Sequence, residues 1–422
     1  MNFKKITLEN GLRIITVPKK DSTATTVLVL VEAGSKYETK DINGLSHFLE
    51  HMCFKGTKKR PKPGLIAKEL DTLGAEYNAF TGQESTGYHA KVQNKDVDEA
   101  LDIVSDLYLN PVFNPDEINK ERGVIIEEIN MYEDTPMRRV QEFFTSLLYG
   151  DQPAGWDIAG RKEVIDRLTR EDFVKYRGEH YLAKSTLVVV AGNFDEKKVT
   201  EKIMTHFSEI PDTRKVGKVK TTELQLKPGI FVKHKESDQT HLVLGVRAFD
   251  MFDQRRFALE MLSVILGGGM SSRLFQRVRE ELGAAYYVNA SADLYSDHGY
   301  LATAAGVDHR KIDEVINAIL EEFTRFTKEK VSDEELGRAK SHFSGRLLLG
   351  LEGSDDLAGF YGGQEIIKRE IITPEELVSK LQAITADEIM AVARDIMKND
   401  GLNLALIGPF KEAEKIEKLL SL

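Results

Sequence analysis

Leu73-Gly74-Ala75-Glu76-Tyr77 returns as Leu282-Gly283-Ala284-Ala285-Tyr286, and Thr86-Gly87-Tyr88 returns as His298-Gly299-Tyr300. The strand-like run Val188-Val189-Val190-Ala191-Gly192-Asn193-Phe194 has its own echo in Ala405-Leu406-Ile407-Gly408-Pro409-Phe410, about 216 residues on. The 422-residue chain is therefore a duplication, and whatever one half folds into the other must also adopt. Pro211-Asp212-Thr213-Arg214-Lys215-Val216-Gly217-Lys218 is polar, basic and turn-rich, as a linker is. The expected division is a first domain over 1–212, a linker over 213–223 and a homologous second domain over 224–422.

Each half opens with an apolar strand (26–31; 241–246) and continues into a helix. Two more strands follow, 76–80 with 88–92 and 286–290 with 300–305, then helices and a last apolar strand. This order predicts an α+β fold: two homologous domains, each a mainly antiparallel sheet covered by helices.

Composition narrows the function classes. An apolar fraction of 41% and a charged fraction of 30% are those of a soluble globular protein. A formal charge of −10 disfavours a nucleic-acid partner. The N-terminal Met-Asn-Phe-Lys-Lys-Ile-Thr-Leu-Glu-Asn-Gly has no apolar h-region, and no run of 18 uncharged apolar residues occurs, so a cytoplasmic protein without a membrane partner is expected. The single cysteine, Cys53, excludes an intramolecular disulfide framework and a Cys-rich zinc ribbon. It falls off the His47/His51 face and reads as a core residue.

The chemistry lies in Gly44-Leu45-Ser46-His47-Phe48-Leu49-Glu50-His51-Met52. On a helix His47 and His51, four apart, share a face and can reach one ion. Leu45, Phe48, Leu49 and Met52 supply a separate apolar surface, which leaves the two imidazoles and Glu50 as a polar cluster. His-x-x-Glu-His is the inverted zincin signature, in which Zn²⁺ acidifies a water and an adjacent carboxylate takes its proton. In the second half Phe257 and Met261 stand where His47 and His51 stand, so packing at these positions does not require histidine.

A third ligand is expected from the helical run that begins after Asn114, a plausible N-cap, with Pro115 at the first position. Glu121 and Glu128, seven apart, share one face, and Glu127 is adjacent; spacing alone leaves all three as candidates.

His47-Phe48-Leu49-Glu50-His51-Met52-Cys53-Phe54-Lys55-Gly56-Thr57, followed by Glu121-Arg122-Gly123-Val124-Ile125-Ile126-Glu127-Glu128, resembles the pitrilysin family of zinc peptidases. The similarity is to its half-length branch, which contains mitochondrial processing peptidase and bacterial relatives, and it extends over essentially the whole chain. The resemblance implies His47, His51 and Glu128 as Zn²⁺ ligands, Glu50 as general base and Glu121 as a helper carboxylate. It also implies that Arg279 and Tyr286 of the non-metal half donate to the scissile carbonyl. Asn78-Ala79-Phe80-Thr81 resembles the family's substrate-pairing edge strand, with Asn78, Ala79 and Phe80 as contacts. Gly267-Gly268-Gly269, before Met270-Ser271-Ser272-Arg273, corresponds to a longer glycine-rich substrate loop in the non-catalytic processing-peptidase subunit. No G-x-x-x-x-G-K-[ST] accompanies it, so a peptide contact or helix start is expected there rather than a phosphate site.

Together these readings predict a zinc metalloendopeptidase acting on short or unfolded peptides. By resemblance two copies close as a homodimeric clamshell, with a heterodimer as the alternative. The rival reading is a non-catalytic peptide-binding or scaffold subunit, whose expected mark is loss of the His-x-x-Glu-His residues.

Overall fold

The computed structural model describes residues 2–411 and 414–422. The strands of the first repeat are β1 (Lys4–Thr7), β2 (Arg13–Pro18), β3 (Ala24–Val31), β4 (Glu76–Thr81), β5 (Thr86–Gln93) and β6 (Thr186–Gly192). Its helices include α1 (Leu45–Cys53), α2 (Leu65–Thr72), α3 (Val97–Leu109), α4 (Pro115–Glu133) and α5 (Pro136–Tyr149). The second repeat supplies β7 (Gly229–His234), β8 (Thr240–Ala248), β9 (Ala285–Leu294), β10 (Gly299–Val307) and β11 (Leu402–Gly408). All the strands expected from the alternating and apolar runs are present. The two sheets run β1-β2-β6-β3-β5-β4 and β7-β11-β8-β10-β9. Among the described residues only β2 with β6 and β7 with β11 pair parallel. The fold is the expected mixed one of two mainly antiparallel sheets with helices.

The compact units do not coincide with the sequence halves. The first comprises residues through Ile129, Asp157–Val219 and Leu348–Thr373; the second comprises Asn130–Trp156, Lys220–Leu347 and Pro374–Leu422. The reason is burial on two faces. In the first unit Val27, Val29 and Val31 of β3 pack with Phe48 and Leu49 of α1 and Leu101 and Val104 of α3 in one apolar core. The alternate residues Leu28 and Leu30 face the other way and are 4% and 2% exposed, so a second layer must cover them. That layer is the helix Ser354–Lys368 from the second repeat. It comes close at Gly362, where an added Cβ would lie 2.8 Å from Leu30 Cδ1 and 3.2 Å from Val189 Cγ2. Polar contacts fix its register: Thr26 Oγ1 lies 2.8 Å from Ser354 Oγ, and Lys5 Nζ and Arg13 Nη1 donate to the Glu365 carboxylate at 2.8 and 3.2 Å.

The second unit is built the same way. Here α5, from the first repeat, lays Val140, Phe144 and Leu148 against Val243, Ala302, Ala304 and Ala405. Phe144 meets Tyr300 edge-on at 5.6 Å, and Tyr149 Oη donates to the Gly299 carbonyl at 3.2 Å. At roughly 1.5–3 kcal/mol for each large apolar side chain removed from water, these few residues hold α5 firmly. Residues 211–225, which include the expected linker, have no regular secondary structure. Lys215 and Lys218 tie this segment to Glu32 and Glu84.

Candidate metal centre

Helix α1 starts at Gly44, which is left-handed with φ 98°. A side chain there would also strike Ala159 O at 2.7 Å and Ile165 Cδ1 at 2.8 Å. The apolar stripe read from sequence is the buried face: Leu45, Phe48, Leu49, Met52 and Cys53 are at most 1% exposed, and Phe48 packs edge-on against Phe173 at 5.0 Å. The opposite side carries the two histidines, whose rings stand 4.7 Å apart and steeply tilted.

Helix α4 brings the carboxylates. Asn114 Oδ1 accepts from the backbone N–H of Asp116 at 2.8 Å, so the expected N-cap forms. Ile118, Glu121 and Ile125 are its buried residues, and Glu128 continues that face while Glu127 is exposed. Of the three glutamates, Glu128 is the one whose carboxylate meets both histidines. Glu128 Oε2 lies 3.5 Å from His47 Nε2 and 3.5 Å from His51 Nε2. Ligands at about 2.0–2.2 Å from a tetrahedral Zn²⁺ stand roughly 3.3–3.5 Å apart, which both separations meet. Among the described residues this is the one group of three or more His, Cys, Asp or Glu able to hold a metal.

Glu121 lies behind His51. Its Oε1 is 3.0 Å from His51 Nδ1 and its Oε2 2.6 Å from Lys55 Nζ. Burial acts to raise its proton affinity, but the bonds from His51 and Lys55 outweigh burial and hold the carboxyl below the ordinary value. An ionised Glu121 makes Nδ1 of His51 the N–H and leaves Nε2 as a lone pair facing His47 and Glu128. Glu50, 9% exposed, accepts from Thr81 Oγ1 at 2.5 Å. Burial pushes its proton affinity up, and the bond from Thr81 offsets this only in part. A carboxylate raised this way is a better proton acceptor near neutrality.

Three residues of this neighbourhood escaped the sequence reading. Thr81 was legible from period-two alternation, which places it with Tyr77 and Ala79 on one face of β4. Lys55, four residues past His51, follows the helical spacing. Glu38 had no signal: it lies in a loop and accepts from the backbone of Gly44 and Ser46. Burial pushes its carboxyl up to about 7.

The remaining sequence candidates occupy defined places. β4 is an edge strand, and Asn78 and Phe80 point outward on one face, Phe80 being 46% exposed, with Ala79 on the other. Cys53 is buried, bonded to Tyr88 Oη at 3.5 Å and pushed up to about 12 by burial, as a core thiol is. In the second unit Gly267 ends the helix Arg256–Gly267, where an added Cβ would meet Ala290 N at 2.3 Å. Gly268 caps that helix, and an added Cβ at Gly269 would lie 3.3 Å from His342. Arg279 lies on the π-helical turn Phe275–Glu281, its guanidinium 5.9 Å from the ring centre of Tyr286, which is 73% exposed. The structure brings Arg279 and Tyr286 together in that unit.

Comparison with known proteins identifies similar chains. Residues 13–162 match the family described as insulinase (peptidase family M16), and residues 167–343 match the peptidase M16 inactive domain. An uncharacterized zinc protease of Rickettsia felis is 36% identical over 97% of this chain and 98% of its own length. The uncharacterized zinc protease YmxG of Bacillus subtilis is 32% identical over 96% and 98%. A protease from Helicobacter pylori has the same fold, with a TM-score of 0.91 at 24% identity over 97% of this chain and 99% of that one.

Proposed function

The chain belongs to peptidase family M16, and from that membership we propose that it is a zinc-dependent endopeptidase hydrolysing short or unfolded peptides. The observation that carries the proposal is that His47 Nε2 and His51 Nε2 each lie 3.5 Å from Glu128 Oε2, with Glu50 on the helix of the two histidines. Two imidazoles and a carboxylate are the donor set of a catalytic zinc site with a position left open. A Zn²⁺ ion held by these three residues supplies Lewis-acid polarisation of the peptide carbonyl and acidification of water.

The chain's own residues do the rest. Glu50 accepts the proton of the attacking water and returns it to the leaving nitrogen, a task suited to a buried carboxylate of raised proton affinity. Glu121, ionised between His51 and Lys55, keeps His51 in the tautomer that presents Nε2. Arg279 and Tyr286 donate to the developing oxyanion, a role supported by their proximity to each other and the exposure of the phenol. The open edge of β4, with Asn78, Ala79 and Phe80, receives the substrate as an added strand. Gly267, Gly268 and Gly269 form a further peptide contact. A homodimeric clamshell in the cytoplasm completes the reading; sedimentation tests the dimer. No helix among the described residues is long and apolar enough to cross a membrane.

The test is cleavage of a quenched-fluorescent unstructured peptide. Activity lost on stripping metal, restored by Zn²⁺ and absent in His51→Ala is the expected result. Glu50→Gln is expected to bind zinc while losing about 10²–10⁴ of the rate. Silence across a varied peptide panel with zinc bound would favour a non-catalytic peptide-binding subunit or a need for a different partner chain.

A further inference from the structure

We infer that Glu38 is a positioning residue for the metal helix, holding the first turn of α1 where His47 and His51 meet Glu128. The inference rests on the zinc-peptidase reading above, yet its test reads the metal site without turnover.

Helix α1 is short and lacks a cap of its own. Its N-cap residue, Gly44, has no side chain, and Leu45 and Ser46 are at most 1% exposed, so water cannot serve the free N–H groups of the first turn. Glu38, itself 2% exposed, serves them from outside the helix. One carboxylate oxygen accepts from Gly44 N at 2.8 Å and Asn43 Nδ2 at 3.1 Å; the other accepts from Ser46 N at 2.6 Å. Two oxygens gripping N–H groups two residues apart restrict both sliding along the helix axis and rotation about it. Apolar packing of Phe48 and Leu49 is less directional and restricts these motions less. Ser46 Oγ donates to Tyr176 Oη at 2.6 Å, which donates to Gly34 O at 3.1 Å and adds a second restraint on the same turn.

His47 immediately follows Ser46, so any movement of the first turn passes directly to the ligand side chain. A metal site tolerates about 0.5 Å of misplacement before its geometry fails. The anchor has a firm base: Ser35 N and Lys36 N donate to Gly82 O and Gln83 O at 3.2 and 2.8 Å. Gly82 and Gln83 directly follow Thr81, the hydrogen-bond donor to Glu50. The loop that carries Glu38 is therefore pinned to the end of the strand that orients Glu50. A merely structural cap at this place would contribute stability without setting the metal geometry, and the two roles separate experimentally.

The experiment compares wild type, Glu38→Gln, Glu38→Ala and Asn43→Ala in the full chain. Zinc affinity is measured by chelator competition, the ligand field by the visible spectrum of the Co²⁺-substituted protein, and stability by urea unfolding. Glu38→Gln, which keeps one acceptor oxygen, is expected to weaken zinc about tenfold and shift the cobalt bands. Glu38→Ala is expected to lose more, and Asn43→Ala, which removes one bond to the same carboxylate, a few-fold. Glu335→Gln, which breaks an ion pair with Arg273 in the second unit, is expected to lower stability with zinc affinity unchanged. Zinc affinity within about twofold of wild type and an unaltered cobalt spectrum in the Glu38 variants would overturn the inference, whatever their stability. Should the Glu38 variants not fold, Asn43→Ala decides by the same two readouts. A wild type that binds zinc but cleaves nothing counts against the peptidase proposal and leaves these comparisons valid.

Discussion

Glu121 joins two residues of one short segment, its Oε1 3.0 Å from His51 Nδ1 and its Oε2 2.6 Å from Lys55 Nζ. The lysine keeps the carboxylate charged, and the charged carboxylate fixes the imidazole. Glu121→Gln is expected to weaken zinc binding by about 10–100-fold, the usual effect of losing a partner behind a metal-bound histidine. Lys55→Met is expected to act in the same direction more weakly, because Glu121 keeps its bond to His51. Chelator competition on both variants checks the order.

Glu127 and Glu128 are neighbours in sequence, yet Glu127 is exposed while the Glu128 carboxylate lies 3.5 Å from both imidazoles. Glu128→Gln is expected to abolish tight zinc binding, whereas Glu127→Gln, at an exposed position, is expected to leave zinc stoichiometry and affinity within about twofold. Metal analysis after dialysis decides the matter, and equal losses in the two variants would remove Glu128 from the ligand set.

The bond from Thr81 pulls the proton affinity of Glu50 down against burial. Thr81→Val keeps the shape and removes the donor, so the Glu50 value rises. The acid limb of kcat/KM is then expected to move to higher pH relative to wild type. A limb that stays in place or moves down would show that Thr81 does not act on the catalytic carboxylate.

His180 is 2% exposed, 4.4 Å from the Tyr176 ring, and burial with the nearby Lys215 charge lowers its value from 6.5 to about 4. The unfolded chain therefore binds this proton more tightly than the native one. The associated stability is present in full above pH 6.5 and is lost as pH falls toward 4, on the order of 3 kcal/mol. As pH falls from 6.5 toward 4, the denaturant midpoint of wild type is expected to fall relative to that of His180→Gln.

Two glycines of the helix Ser354–Lys368 should respond oppositely to substitution. Gly362 lies against Leu30 and Val189, and Gly362→Val is expected to cost about 1–3 kcal/mol by overpacking. An added Cβ at Gly359 meets nothing within 4 Å, so Gly359→Ala is expected to add up to about 1 kcal/mol through helix propensity. Urea unfolding reads both.

The sequence by itself determined the duplication, the strands of both repeats, the Asn114 cap, and the separation of α1 into an apolar face and a face bearing His47 and His51. These are local properties, written in periods of two and 3.6 residues and in the chemistry of single turns. Tertiary structure decided which glutamate meets the histidines, because Glu127 and Glu128 differ by one step of rotation on a helix whose orientation is set by packing. It also decided that Glu38 caps α1 and that the helices 136–149 and 354–368 each cover the sheet of the unit built mainly from the other repeat. Leu28 and Leu30 must be buried, but any apolar helix face satisfies that need, and only the assembled chain shows which one does.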